Sequence, residues 1–185
     1  MALAPTVWRT CRVLANDARL RCFAAVAQNP GAPVGRVARS AGVSVPVASL
    51  YLRHIQARGL LRAERVSRWV RYEAAADASV AHAGALLAAL RQSALSRPAD
   101  RAAAIRILTA CTHPRRLALL AAVARGQPCG AADLVRATGF SVNATSRHLH
   151  KLESRGFLVR QPRGWCLAEA SDPLSRCLLR AAIGT

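Results

Sequence analysis

Two short stretches decide how this chain folds: Gly42-Val43-Ser44-Val45 and Gly139-Phe140-Ser141-Val142. In each, a glycine that suits a left-handed turn stands two residues before a serine, a residue type that often caps helices. One helix that ends at the glycine and another that begins after the serine form a helix-turn-helix. The sequence therefore predicts this arrangement twice in one chain.

The likeness between the two stretches extends far on either side of them. Every matching pair is separated by the same interval, the 97 residues from Arg19 to Arg116, so that no gap is needed from Leu14 to Arg62. A repeat this long indicates a duplicated domain rather than a solenoid unit. We therefore predict two domains, at residues 1–96 and 97–185. Further matches join Ser49, Leu52, Arg58, Gly59 and Leu61 to Ser146, Leu149, Arg155, Gly156 and Leu158.

After each helix-turn-helix, the spacing of apolar residues changes from that of a helix to that of a strand. Leu60 to Arg65 and Arg68 to Glu73 have the composition of two short strands, and Phe157 to Leu167 predicts a second hairpin. Closing helices are predicted at Ala78 to Leu95 and at Pro173 to Ile183. The predicted fold class is mainly α with short β-hairpin wings. It consists of two tandem winged helix-turn-helix domains that form a pseudo-dimer.

The charge of the chain indicates a polyanionic partner. The net charge is +18, with 27 Lys and Arg against nine Asp and Glu, and Lys151 is the only lysine. Cationic side chains gain affinity for nucleic acids by neutralising phosphates and releasing counterions. An arginine-rich codon usage explains some single arginines but not the shortage of acidic residues. Double-stranded DNA is therefore the expected partner.

Composition and motifs exclude several other classes. A hydrophobic content of 52% is too high for a disordered tail, and the longest apolar run, Ala83 to Leu90, is too short to span a bilayer. The first residues lack the pattern of a signal peptide, so we expect a cytoplasmic, nucleoid-associated protein. The chain has no phosphate-binding loop, zinc-protease motif or nucleophile elbow, and we expect no enzymatic activity.

The second helix of each helix-turn-helix and the hairpin behind it supply the candidate DNA contacts. In the second copy, Leu149 and Leu152 should face the core, which leaves the polar side chains outward. The candidates there are Ser141, Asn143, Ser146, Arg147, His150, Lys151 and, on the wing, Arg163. In the first copy they are Ser44, Pro46, Ser49, Arg53 and, on the wing, Arg65, Arg68 and Arg71.

These residues carry a resemblance to a known family. Ser146-Arg147-His148-Leu149, followed by Leu152, Gly156 and Phe157, resembles the recognition helix of ArsR-type winged-helix repressors. Leu14 to Arg21, His113 to Leu117 and Trp69-Val70-Arg71-Tyr72 are similar to other parts of that fold. The resemblance implies operator binding as a homodimer and, for many members, release from DNA by metals. It implies DNA contacts at Asn143, Ser146, Arg147, His148 and His150.

The chain departs from that family in three respects. It carries two copies rather than one, and Leu50-Tyr51 stands where the second copy has Arg147-His148. The paired cysteines of the metal-sensing members are missing, because Cys129 has no second cysteine beside it. We therefore predict no metal site and no cofactor, although Cys11 and Cys111 lie on matching first helices and could approach each other.

The sequence thus predicts a sequence-specific, double-stranded DNA-binding transcription regulator, with repression favoured by the resemblance. The alternative is a tandem winged-helix scaffold that binds proteins or organises chromosomes without an operator. The expected assembly is an internal pseudo-dimer, and a further homodimer stays open.

Overall fold

The computed structural model describes residues 5–67, 69–93, 95–126 and 129–184. This part of the chain contains ten helices and two antiparallel hairpins. Each half has four helices, then a hairpin, then a closing helix. The first half contains α1 (Val7–Leu14), α2 (Asp17–Gln28), α3 (Val34–Ala41), α4 (Val45–Gln56), β1 (Arg62–Val66), β2 (Trp69–Glu73) and α5 (Ala83–Gln92). The second half contains α6 (Pro98–Ala110), α7 (Pro114–Arg125), α8 (Ala131–Thr138), α9 (Val142–Ser154), β3 (Leu158–Gln161), β4 (Gly164–Leu167) and α10 (Pro173–Ile183).

The turns of both helix-turn-helix units are set by their glycines. Gly42 ends α3 with φ +61° and Gly139 ends α8 with φ +68°, a left-handed conformation that costs other residues free energy. The serine that follows is the N-cap in both units. The Ser141 Oγ accepts a hydrogen bond from the Ala144 N–H at 3.3 Å. Ser44 makes no such bond, and Pro46, in the first turn of α4, has removed one of the usual donors.

The preceding helices also begin in matching ways. The Asn16 side chain caps α2 by accepting a hydrogen bond from the Arg19 N–H at 3.0 Å. His113 caps α7 through its Nδ1, which accepts from the Arg115 N–H at 3.1 Å. Both helix starts therefore have a side-chain cap that satisfies a backbone N–H group.

Each hairpin is extended by one residue from the loop before the helix-turn-helix. Arg62 pairs with Glu73 and Val66 with Trp69 in the first wing, and Leu158 pairs with Leu167 in the second. Pro33 forms a bridge with Arg71, and Cys129 forms the equivalent bridge with Trp165. A Cβ atom at Gly164 would lie 2.3 Å from the Cys129 carbonyl oxygen, so this position requires glycine.

The buried side chains form one hydrophobic cluster that runs through both halves. Helix α5 packs against α10, and α1 packs against α6, so that helices at equivalent places in the two halves contact each other. A buried arginine adds a polar link. The Arg101 guanidinium donates to Asp17 at 3.0 Å and to the carbonyls of Leu95 and Ser96 at 3.1 and 2.8 Å.

One sequence-based helix boundary differs from the structure. The helix predicted from Ala78 to Leu95 is shorter, Ala83–Gln92, because the Asp77 carboxylate accepts hydrogen bonds from the N–H and Oγ of Ser79 and holds a turn there. The predicted strand residue Arg68 lies outside the described residues, as do residues 127–128.

Candidate nucleic-acid interface

Helix α9 presents one polar face to solvent. Its apolar side, with Leu149 and Leu152, is fully buried, as the sequence predicted. Asn143, Ser146 and Arg147 are exposed and line one shallow depression on the opposite side. Amide, hydroxyl and guanidinium groups are those that read base edges in the major groove, so this face has the chemistry of a recognition helix.

His148 lies beside that face rather than on it. The ring is half-buried, and its centroid is 4.8 Å from that of His113. Burial, the neighbouring His113 and nearby arginines lower the pKa of His148, which favours the neutral form of the ring. At the matching position of the first unit, Tyr51 is also half-buried, with the Arg19 guanidinium 5.2 Å from its ring.

The end of α9 connects the helix to the second wing. The exposed His150 ring stands edge-on to Trp165 at 6.0 Å, and its Nδ1 lies 3.4 Å from a Glu153 carboxylate oxygen. Lys151 is half-buried on the neighbouring side of the helix. His150 therefore lies between the polar face of α9 and the hairpin.

The second wing carries two exposed arginines. Arg160 lies on β3, with its guanidinium 5.8 Å from the Trp165 ring, and Arg163 lies in the turn between β3 and β4. The side chain of Trp165 is buried, and its strand β4 packs against α7. The wing therefore exposes cationic groups at its edge, where phosphate or minor-groove contacts can form.

Helix α4 presents a different surface in the first unit. Pro46 and Leu50 are exposed, Leu50 by 43%, and Ser49 is half-buried. The Arg53 Nε donates to the Ser49 carbonyl at 3.4 Å, and the Ser44 Oγ makes no cap hydrogen bond. This face therefore has fewer side-chain groups for base recognition than that of α9.

The first wing has more arginines than the second, four against two, but Glu64 and Glu73 bring it to the same net charge of +2. Arg62, Arg65 and Arg71 are all exposed, and the predicted site residue Arg68 lies outside the described part. Arg62 pairs with Glu73 at 2.7 Å across the hairpin, and the Arg65 Nε donates to the Ser67 carbonyl at 3.4 Å. The wing also exposes Trp69 by 57%.

Two residues of the surface were missed by the sequence analysis. Val45 and Val142 occupy the first position of α4 and α9, and they are 50% and 68% exposed. Apolar groups at this point of a recognition helix can contact thymine methyl groups. Their place directly after the capping serines was the signal that could have identified them.

Four of the six cysteines are buried in the core, and Cys166 and Cys177 are half-buried. Cys11 and Cys111 are fully buried, and a hydrogen bond between their side chains, together with burial, raises the pKa of Cys11. Burial raises the pKa of Cys22 to about 11. All six thiols are free, and the described residues contain no group of three His, Cys, Asp or Glu that could hold a metal ion.

Comparison with known proteins agrees with this geometry. Residues 115–162, from α7 to the second wing, match the model of the IclR helix-turn-helix domain. Fold, surface and this match define a helix-turn-helix unit of the kind found in DNA-binding transcription regulators. The matching model is not that of the ArsR type predicted from the residues; a helix-turn-helix is common to both.

A curated relative is the HTH-type transcriptional regulator YgaV of Escherichia coli (strain K12), 37% identical over 67 residues. The alignment covers 36% of this chain and 66% of the length of that regulator. No solved structure matches the chain. Among the described helices, none has both the length and the apolar character that crossing a membrane requires.

Proposed function

We propose that this protein is a transcription regulator that binds double-stranded DNA in a sequence-specific manner, with repression as the expected mode. The observation that carries the proposal is the exposed polar face of α9, where Asn143, Ser146 and Arg147 line one depression. The net charge of +18 and the similarity to YgaV support it. The candidate residues named above, on α4, α9 and both wings, are the proposed contacts.

In this proposal, the two helix-turn-helix units have different roles in DNA binding. Helix α9 offers hydrogen-bonding groups that distinguish base pairs, whereas α4 offers Pro46, Leu50 and Val45, which are limited to apolar contacts. The first wing has four arginines against two in the second, and two glutamates offset part of that charge. The second unit therefore specifies the sequence, and the first unit contributes affinity through the phosphate backbone.

The proposed assembly is an internal pseudo-dimer produced by a tandem duplication, with domains at residues 1–96 and 97–185. Contacts between equivalent helices, α1 with α6 and α5 with α10, are those that a twofold axis produces between identical subunits. The recurrence of left-handed Gly42 and Gly59 at Gly139 and Gly156 supports the duplication. Such an arrangement would present two recognition helices to successive major grooves, about 34 Å apart.

A second function, as a protein-interaction scaffold, is favoured by one observation. The exposed face of α4 is largely apolar, and the first wing beside it exposes Trp69 and Val70. Surfaces of this kind are common at protein interfaces. The two functions are separated by purification with and without nuclease, because a DNA-binding protein this basic should retain nucleic acid.

Selection from sheared genomic DNA, followed by footprinting of the recovered fragments, tests the proposed function. We expect a small set of fragments that share one motif, with protection over two adjacent turns of the duplex. Recovery of fragments without a common motif, with equal protection everywhere, would contradict sequence-specific regulation and favour the scaffold.

A further inference from the structure

A cleft lies on the side of the molecule formed by the closing helices of both halves. It has a volume of about 650 Å³, within the range of sites for small organic ligands. Helices α5 and α10 form its walls, and Val7 of α1 contributes to its lining. Neither recognition helix lines it, and the proposed function assigns it no role.

The lining combines an apolar surface with positive charge. Helix α5 contributes Ala85, Ala88 and Ala89, which leave room between the helices, and α10 contributes Arg176 and Arg180. Gln92 and His82 add polar groups, and the described lining contains no carboxylate. An occupant therefore needs a negative charge at the α10 side and an apolar body against the alanines.

The two arginines differ in what already binds them. Arg176 is anchored, because it donates to the carbonyls of Ser171 and Ala170 at 2.7 and 3.4 Å. The side chain of Arg180 is exposed and makes no hydrogen bond to any residue of the described chain. The His82 Nε2 is already within 2.9 Å of the Thr10 Oγ1. Arg180 is therefore the cation available for a ligand.

We infer that this cleft binds a small organic carboxylate with an apolar, ring-sized body. The Arg180 guanidinium supplies a charge-assisted hydrogen bond to the carboxylate, and the alanines of α5 contact the ring. A second copy of the chain fits less well, because it would bring another strongly basic surface against Arg176 and Arg180. Since α5 and α10 belong to different halves, a bound ligand also stabilises their packing.

Calorimetric titration with 1-naphthoate, and with the uncharged 1-naphthalenemethanol as the matched probe, tests this inference. We expect saturable binding of one naphthoate per chain, with the alcohol at least about tenfold weaker. Arg180→Gln should lower the naphthoate affinity by at least about tenfold. The control Arg39→Gln removes the same charge from an exposed position on α3 and should leave the affinity unchanged.

A cleft-filling variant tests the apolar side. Ala85 is exposed on α5, so Ala85→Leu should fold normally and weaken both probes. The inference is overturned if naphthoate and benzoate both fail to bind saturably, if acid and alcohol bind equally, or if Arg39→Gln and Arg180→Gln have the same effect. A dimer in solution that Ala85→Leu dissociates, without any naphthoate binding by the wild type, would show that a second copy covers the cleft instead.

Discussion

At the scale of single residues, His113 caps helix α7 with a side chain that can also bind a proton. Its Nδ1 accepts the Arg115 N–H, which requires an unprotonated Nδ1, and its ring stacks on His148. Burial, together with nearby arginines, lowers the pKa values of both rings. The folded state therefore favours neutral imidazoles, whereas the unfolded state binds protons first as the pH falls.

The sign of this linkage gives a prediction for stability. The stabilisation is present above the ordinary histidine pKa of 6.5 and is lost as the pH falls through the lowered values. His113→Asn keeps a capping side chain, the one that Asn16 provides in the first half, but removes the titration. Urea unfolding at pH 8 and at about pH 5 should show a smaller loss of stability in the variant. An unchanged loss would contradict this role of His113.

Arg147 tests base recognition by the proposed second unit. Its exposed guanidinium lies on the polar face of α9, where a bidentate contact to guanine is the commonest specific interaction. Arg147→Ala should cost about 1–3 kcal/mol at the selected site and relax the base preference at one position. Competition binding with single-base variants of the site measures both effects. Uniform weakening across all sequences would assign Arg147 to the backbone instead.

At the scale of elements, substitutions in the first wing test the proposed contacts with the phosphate backbone of DNA. Arg65 and Arg71 are exposed on the two strands of this hairpin. Replacing both by Gln should weaken binding to all sequences about equally and lower the slope of log affinity against log salt by roughly two. The same competition series is the measurement. A loss of base preference in this variant would contradict the proposed division between the units.

Arg101 of α6 connects this helix to Asp17 of α2 and to the carbonyl groups of Leu95 and Ser96. This side chain is 11% exposed and satisfies two carbonyl groups and Asp17. Arg101→Met should destabilise the fold by about 1–3 kcal/mol, because the carbonyl groups lose their donor. The control is Arg97→Gln, which breaks an exposed pair with Asp100 and should cost less than about 1 kcal/mol. Equal losses in urea unfolding would contradict a structural role for Arg101.

Local chemistry explains which elements were predictable from the sequence. The left-handed turns at Gly42 and Gly139 depend on neighbouring residues alone, and the structure confirms them. The shorter α5 follows from a side-chain turn at Asp77 that competes with the helix. The stacking of His148 on His113 joins residues from two helices, so that no local pattern indicated it. The residue-by-residue DNA contacts stay a prediction.

At the scale of the whole molecule, the packing of the two halves makes each half depend on the other for stability. The halves share one hydrophobic cluster, and α5 and α10 bury their apolar faces against each other. Separately expressed residues 1–96 and 97–185 should therefore be unstable alone or should associate when mixed. Sedimentation and thermal unfolding measure this. Two stable monomers that do not associate would contradict the internal pseudo-dimer.

Binding of the full chain to double-stranded DNA over a series of salt concentrations tests the central claim most directly. Neutralisation of about six phosphates predicts a slope near −5 for log affinity against log salt. The same oligonucleotide as a single strand should bind more weakly, because the proposed contacts require duplex grooves. A flat salt response, or tighter binding to the single strand, would contradict the assignment of a duplex-binding regulator.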